Sequence, residues 1–282
     1  MRKLLCTAAA AAFIGATPAL AAPANVSALQ GTITYKNGSS GPYYFSPFAR
    51  VTSKVVYDSA TGTYTLRDTG NPALTSTFGP GNVTGSDASF TYYSKSSGSN
   101  VETFRLLNKS GVNPTIALTY VQYGQWRRSS TASGVTSTND TYVVFGSKTP
   151  ASGMPLTGSA SYTTHLDGTY VNKNGVYAVT GAGGLTANFG LGTISYDATL
   201  AGIREGGGTN IAFGTLTGTG SIATSNASFK GTGTTNGSGF KLDVNGNFYG
   251  PAADEIGGIF RLTGNRTSVG GIGNGTGAVV GN

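Results

Sequence analysis

One segment near the carboxyl end restricts the fold of this chain more than any other. Apolar and polar residues alternate over residues 240–249, and this period of two places one apolar row on a single face of a β-strand. Gly-Pro at 250–251 ends the strand, and the loop that follows carries the only adjacent acidic pair, Asp254 and Glu255. Gly-Gly at 257–258 restarts extended chain and leaves room for another backbone or a bulky ring. We predict two strands joined by a tight loop, in which Glu255 accepts backbone N–H bonds.

The carboxy-terminal half has the composition of a closed β-barrel. Of the 45 glycines, 30 fall in residues 157–282, and charged residues make up only 10% of the chain. Seven or eight short strands can close on themselves, which removes sheet edges, with glycines where strands bend sharply. Residues 184–200 predict a β-hairpin that turns at Gly-Leu-Gly. Residues 264–282 are mostly Gly, Asn, Thr and Val and do not predict a firm terminal strand. Further short strands are expected near 157–166, 211–217, 219–224, 226–233, 239–249 and 258–263.

The amino-terminal half is more basic and more aromatic. Residues 22–156 contain 10 Lys/Arg against 5 Asp/Glu, whereas residues 157–282 contain 6 of each. Ten of the 15 tyrosines and the only tryptophan, Trp126, precede residue 157. Residues 58–62 have turn composition that predicts a hairpin, and residues 116–121 give the clearest strand pattern of this half. A Pro/Ser/Gly-rich stretch at 147–155 marks the junction between the halves.

Residues 1–21 have the features of a secretory signal peptide. Arg2 and Lys3 precede an apolar run that is too short to span a bilayer, and Ala-Leu-Ala at 19–21 provides a small-residue cleavage site. Cys6, the only cysteine, would leave with this segment. We therefore expect an exported chain without a disulfide or a lipid-anchor cysteine, located in the periplasm, at the cell surface or outside the cell.

The residues required for catalysis or for a dedicated metal site are scarce. His165 is the only histidine, and alternation along its strand predicts an ordinary surface position outside the barrel, with iron ligation as the alternative. The sequence contains no Gly-x-Ser-x-Gly elbow and no phosphate-binding glycine motif, and the neighbouring acids at 254–255 diverge in extended chain. Basic residues are dispersed, so nucleic acid is not an expected partner. We predict that the chain is not an enzyme and has no resident metal or other cofactor.

The motifs described above resemble one family. The strand, Gly-Pro loop, Glu and Gly-Gly of residues 246–260 resemble the closing segment of the transferrin-binding protein B-like β-barrel domain. Residues 118–162, through Trp126 and Met154-Pro155, are similar to the passage from handle to barrel in that family. Residues 56–80 resemble the handle of small, single-lobe relatives. Across residues 50–263 the resemblance implies an all-β protein, with an irregular β handle domain at 22–156 followed by an eight-stranded antiparallel β-barrel at 157–282.

The resemblance also implies a secreted, non-catalytic binding protein. The family captures iron-carrying host proteins, haem or other host factors at the outer surface of Gram-negative bacteria, and some relatives are moved outward by a dedicated translocon. Positive charge and aromatic rings favour the handle as the contact surface. The alternative is that Trp126 and most tyrosines fill the core of a β-domain. The candidate contact residues are Tyr43, Tyr44, Phe45, Tyr123, Trp126, Arg127 and Arg128.

Several ligands and roles stay open at this point. Haem fits because its propionates are anionic and a tyrosine phenol can ligate iron, and an acidic protein face fits equally well. A structural or adhesive surface protein with stacked strands is the alternative function, although no regular repeat of about 20–50 residues persists. An outer-membrane barrel needs longer apolar rows than these Thr- and Gly-rich strands provide. We expect a monomer that does not span a membrane and binds a protein or a haem-like ligand.

Overall fold

The computed structural model describes residues 26–38, 44–45, 49–68, 74–109, 111–235, 237–268 and 271–282; for residues 26–27, 38, 44–45, 49–53 and 68 it describes the backbone alone. The predicted signal peptide and Tyr43 therefore lie outside the described residues. The described chain is almost entirely β-structure, arranged as one curled sheet followed by one closed barrel. The predicted fold class is confirmed.

The amino-terminal part, which we call the handle, is a single antiparallel sheet. Within the described residues its order is β5-β4-β3-β1-β10-β9-β8-β7-β6, with β2 paired to β1. The predicted hairpin at residues 58–62 is confirmed, because Asp58 accepts hydrogen bonds from Ala60 N and Thr61 Oγ1 in the turn. The strands are β1 (Val26–Gly38), β2 (Tyr44–Phe45), β3 (Ala49–Asp58), β4 (Thr63–Asp68), β5 (Thr75–Phe78), β6 (Val83–Ser86), β7 (Phe90–Ser97), β8 (Asn100–Leu107), β9 (Val121–Ala132) and β10 (Val135–Gly146).

The handle sheet curls until its two edges approach each other. Strands β5 and β6 are neighbours in the chain, joined through a 3-10 turn at Pro80–Asn82, yet they lie at opposite ends of the sheet order. Lys95 Nζ on β7 donates to the Thr77 carbonyl on β5 at 3.2 Å, which links the edges. The enclosed core includes Trp126, Phe104 and Phe78.

The carboxy-terminal part is a closed antiparallel barrel. In the described chain each of eight strands pairs with the next, and β18 pairs with β11 to close the ring. The predicted hairpin around Gly-Leu-Gly 190–192 joins β12 to β13. The strands are β11 (Ser159–Asn172), β12 (Gly175–Asn188), β13 (Thr193–Arg204), β14 (Ile211–Ala223), β15 (Ser228–Thr235), β16 (Phe240–Tyr249), β17 (Glu255–Gly264) and β18 (Gly273–Gly281). The handle ends at Gly146 and the barrel begins at Ser159; the domain limits 22–156 and 157–282 stay predictions.

Three sequence expectations are corrected by the structure. The segment 264–282 does contain a terminal strand, β18, which closes the barrel. Its glycines are required there, because a Cβ at Gly277 would lie 2.5 Å from the Phe260 ring and 2.2 Å from the Asp167 carbonyl oxygen. The segments 211–217 and 219–224 form one strand, with Gly214 at φ +79° absorbing an irregularity in the pairing. Residues 116–120 precede β9 and are not a strand.

The barrel interior is filled by side chains. The rings of Tyr170, Phe213 and Phe240 meet edge to face, with centroids 5.0–6.1 Å apart. The void bordered by Leu166, Tyr196 and Leu242 measures about 10 Å³, which is too small for a ligand.

Tyr196 crosses the interior from β13 and lies directly beneath β14 and β15. Its hydroxyl donates to the Leu242 carbonyl on β16 at 2.7 Å, which fixes the ring. A Cβ at Gly218 would lie 2.4 Å from the ring, and one at Gly231 would lie 2.9 Å from it. The glycines therefore let two strands of the wall approach the ring more closely than any other residue would permit.

Adding one methyl group beneath this wall should destabilise the barrel. Gly218→Ala places its Cβ against a tyrosine that cannot retreat, so we expect a loss of about 1–3 kcal/mol in the free energy of unfolding, measured in urea. Gly85→Ala is the control, because a Cβ there meets nothing within 4 Å, and its effect should stay within about 0.5 kcal/mol. Equal effects from both variants would contradict this account of the glycine.

Candidate functional site

The handle packs against the outside of barrel strands β17 and β18. Val121, Tyr142 and Val144 from the handle meet Ile259 and Val280 from the barrel in one buried cluster. Outward-facing barrel residues would ordinarily be polar, so the handle is what makes these apolar side chains stable. The interface also contains three buried carboxylates, and each holds groups from the other half.

Glu255 anchors the chain that leads into strand β9 of the handle. Its Oε1 accepts the N–H of Thr119 at 2.6 Å, and its Oε2 accepts the N–H groups of Tyr120 and Val121 at 2.8 and 2.9 Å. Glu255 does accept backbone N–H bonds, as predicted, but from the handle and not from its own loop. For the N–H groups of residues 119–121 the carboxylate takes the place of a neighbouring strand. The loop after Pro251 is instead closed by Asp254, which accepts the Ala252 N–H at 3.2 Å.

Asp167 projects outward from β11 and receives two handle side chains. Arg105 Nη2 donates to its Oδ2 at 2.7 Å, and the Tyr123 hydroxyl donates to the same oxygen at 2.9 Å. Burial raises the pKa of Tyr123 well above its usual value, and the charge of Asp167 adds to this effect. Tyr123 is therefore a neutral donor that satisfies a buried carboxylate.

Asp140 is a fully buried carboxylate of the handle. Gln125 Nε2 lies 2.9 Å from each of its oxygens, Arg127 Nη2 donates at 2.7 Å, and Thr169 of the barrel donates its hydroxyl at 2.7 Å. Arg127 also reaches Glu205 of the barrel, at 2.7 Å. Charge-assisted bonds of this kind satisfy a charge that would otherwise be expensive to bury. We call Arg105, Tyr123, Gln125, Arg127, Asp140, Asp167, Thr169 and Glu205 the interdomain belt.

Strand β9 separates the predicted contact residues onto two faces of the sheet. Tyr123 and Arg127 point toward the barrel and belong to the belt. Trp126 and Arg128 point into the handle core, where the Trp126 Nε1 donates to Glu102 at 3.0 Å and the Arg128 guanidinium lies 4.3 Å from the ring centre. Arg127 and Arg128 therefore do not form one basic patch, because neighbours in a strand face opposite ways.

The rings of Tyr123 and Trp126 are each 1% exposed, which agrees with the alternative that they fill the core. Tyr44 and Phe45 form β2 and pair with Lys36 and Tyr35 of β1. Their side chains, and all of Tyr43, are outside the described residues. That the predicted contact residues bind a partner stays a prediction.

A groove that the sequence did not reveal opens beside the belt. It has a volume of about 340 Å³ and is lined by Tyr92, Ser94, Thr103, Arg105 and Gln125, among others. Alternation places each of these on one side of its own strand, but only the order β7-β8-β9 brings them together. Arg105 and Arg127 at this groove are already matched by belt carboxylates, so the groove carries little free positive charge.

Exposed positive charge of the handle also lies on β3 and β4. Lys54 and Arg67 are directly opposite each other in the antiparallel pairing, and both side chains are exposed. Neither has an ion-pair partner among the described residues. Like charges directly opposite in a sheet are destabilising, so this pair is a candidate contact for an anionic partner. The two positions are well separated in the sequence, and only the strand register shows that they are adjacent.

His165 lies outside the barrel, as predicted, but it is not an ordinary surface residue. The handle covers it, and its ring centre is 6.3 Å from that of Tyr123. Burial lowers the pKa of His165, while the nearby Asp167 carboxylate acts in the opposite direction and Arg105 reinforces the lowering. Its position is that of an interface residue.

Within the described ranges, no three His, Cys, Asp or Glu side chains converge in a way that could hold a metal ion. Over the same residues, none of the helices has the length and apolar character needed to cross a membrane.

Comparison with protein families identifies the barrel. Residues 154–276 match the family model of the C-lobe and N-lobe beta barrels of Tf-binding protein B. The barrel of this chain therefore belongs to the transferrin-binding protein B-like β-barrel family. The chain is a single handle and barrel, as in one lobe of such proteins. Comparison with curated proteins gave no match.

Solved structures of that family are similar to this chain over most of its length. Transferrin-binding protein B of Haemophilus parasuis is 19% identical, with 88% of this chain and 44% of that chain covered and a TM-score of 0.49. The isotype 1 protein from serogroup B Neisseria meningitidis is 17% identical, with 89% and 43% covered and a TM-score of 0.45. The N-lobe domain of lactoferrin-binding protein B of Moraxella bovis is 13% identical, with 89% and 99% covered and a TM-score of 0.40. The chain thus spans less than half the length of the first two.

Removing the charge of Glu255 should loosen the handle from the barrel. In Glu255→Gln an amide nitrogen replaces one of two oxygens that accept backbone N–H groups, so we expect a loss of about 1–3 kcal/mol in unfolding free energy. Asp254→Asn is the matched control, because Asp254 is exposed and should change stability by less than about 0.5 kcal/mol. Urea denaturation measures the unfolding free energy of both variants. An unchanged unfolding free energy in Glu255→Gln would show that the anchor is dispensable.

The burial of His165 should make stability depend on pH. Because its pKa is lowered in the fold, the unfolded chain binds the proton more readily, and stability falls as the pH drops below about 6.5, the ordinary value. We expect wild type to lose more stability than His165→Gln between pH 7.5 and pH 5. Acidic residues common to both proteins cancel in this difference. The assignment would be contradicted if the difference in unfolding free energy between wild type and His165→Gln were the same at both pH values, or if it favoured wild type more at pH 5.

Proposed function

We propose that this chain is an exported, surface-exposed, non-catalytic protein that captures an iron-carrying host protein through its handle. The carrying observation is the exposed Lys54–Arg67 pair, which has no ion-pair partner among the described residues and keeps two like charges side by side where a partner's acidic surface can meet them. The family of the barrel supports the class of partner, since its named members bind transferrin or lactoferrin.

The barrel supports this function as a scaffold. Its interior is filled by aromatic and aliphatic side chains, and the void between Leu166, Tyr196 and Leu242 is too small for a ligand. The belt and Glu255 hold the handle against it through charge-assisted hydrogen bonds. A rigid handle loses little conformational freedom when it binds, which favours affinity for a folded protein partner.

A binding assay with charge-reversal variants tests the proposal. The chain from Ala22 onward is immobilised and exposed to iron-loaded transferrin, to lactoferrin and to haemin by surface plasmon resonance. We expect one of the two proteins to bind saturably and Lys54→Glu/Arg67→Glu to weaken it at least about tenfold, mainly through slower association. Lys173→Glu/Arg266→Glu reverses two exposed charges on barrel turns and should leave the affinity within about twofold.

Each other outcome contradicts a defined part of the proposal. Binding of haemin alone would replace the protein partner with a haem ligand, and absence of binding to all three would remove the iron-capture function. Equal losses in the two double variants would show that net charge, and not the Lys54–Arg67 pair, governs binding.

A further inference from the structure

The outer wall of the barrel is hollowed over strands β14 to β17. This hollow has a volume of about 530 Å³ and continues into a second hollow of about 330 Å³, with which it shares Ser221, Lys230 and Asn245. The second hollow reaches Leu29 of β1, so the handle lines one side of it. We call the combined feature the barrel trough. Its side chains include Thr219, Ser221, Lys230, Thr232, Asp243, Asn245, Ile259 and Arg261.

The trough has a physical cause in the barrel interior. Gly218, Gly231 and Gly233 face inward, and their missing side chains let β14 and β15 approach the Tyr196 ring. Tyr196 is fixed by its hydrogen bond to the Leu242 carbonyl. Because β14 and β15 lie close to the barrel interior, the outer surface over these strands is concave. The trough is therefore formed by the packed backbone and does not depend on mobile side chains.

The lining is rich in hydroxyl and amide groups, and few of its outward-facing side chains are apolar. Thr219, Ser221 and Thr232 expose hydroxyl groups along the floor. The one acidic residue, Asp243, accepts the Thr232 hydroxyl at 2.8 Å and the Lys241 ammonium at 3.0 Å, so its charge is already matched. Ligands with many hydroxyl groups suit such a surface, because each can exchange hydrogen bonds with it.

Two cations of the trough are not matched by protein. Lys230 is exposed and Arg261 is half-buried, and neither has an ion-pair partner in the part of the chain that the structure describes. The Arg261 Nε is shielded from solvent and lacks a hydrogen-bond partner among the described residues. Lys230 on β15 and Arg261 on β17 lie on either side of β16, so both would attract a carboxylate held over β16, and charge-assisted bonds are strong.

We propose that the barrel trough binds a carboxylate-bearing saccharide. The carboxylate lies between Lys230 and Arg261, and the sugar hydroxyls meet the Thr, Ser and Asn side chains. The volume is in the range of small-molecule sites, about 300–1,000 Å³. An acidic peptide fits less well, because every strand here is paired on both sides and offers no backbone edge, and Ile259 is one of few apolar anchors.

A trisaccharide that carries a carboxylate and a disaccharide that lacks one test whether the carboxylate is required for binding. The chain from Ala22 onward is titrated with 3′-sialyllactose and with lactose, which lacks the carboxylated sugar, and binding is followed by isothermal calorimetry and by amide NMR shifts. We expect saturable binding of sialyllactose that weakens as salt is raised, and lactose at least about tenfold weaker. A lack of saturable binding, or equal affinity for lactose, would overturn the proposal. Saturable binding of a Glu-rich peptide in its place would also overturn it.

Variants test the location of the site. Lys230→Ala and Arg261→Ala should each weaken sialyllactose binding by about tenfold, whereas Lys173→Ala, which removes an exposed charge on the β11–β12 turn, should not change it. Unchanged binding in the first two variants would place the sugar elsewhere and contradict the proposal. Lys54→Glu/Arg67→Glu should retain sugar binding, so the trough and the host-protein function can succeed or fail separately.

Discussion

Three buried carboxylates join the two halves of this protein, and each accepts at least one hydrogen bond from the other half. Glu255 of the barrel holds three consecutive backbone N–H groups before β9, and Asp167 holds Arg105 and Tyr123 of the handle. Asp140 of the handle receives Thr169 of the barrel. A charge left unpaired in this apolar interface would be very costly, so the halves dock in one arrangement.

The glycines of the barrel serve packing more than flexibility. Tyr196 beneath Gly218 and Gly231, and Phe260 against Gly277, show bulky rings placed where neighbouring strands have no side chain. These rings fill the barrel interior, and the close approach of the glycine-containing strands to Tyr196 leaves the outer wall concave. The interior volume of the barrel is occupied largely by its own aromatic and aliphatic residues.

The distribution of charge changes once the strands are in register. Arg127 and Arg128 are adjacent in the sequence but lie on opposite faces, one in the belt and one over Trp126. Lys54 and Arg67 are distant in the sequence but adjacent on an exposed face. Two positive charges of the handle are therefore exposed together at β3 and β4, whereas the basic pair that stands out in the sequence is used internally.

The sequence by itself determined the local β-structure, the hairpins at residues 58–62 and 184–200, and the family of the barrel. It also determined that Glu255 binds backbone N–H groups. Only the tertiary structure decided that these groups belong to residues 119–121, that β18 closes the ring, and that Lys54 meets Arg67. The physical reason is that a period of two reports which side of a strand a residue faces, whereas the neighbouring strand is chosen by packing across the whole fold.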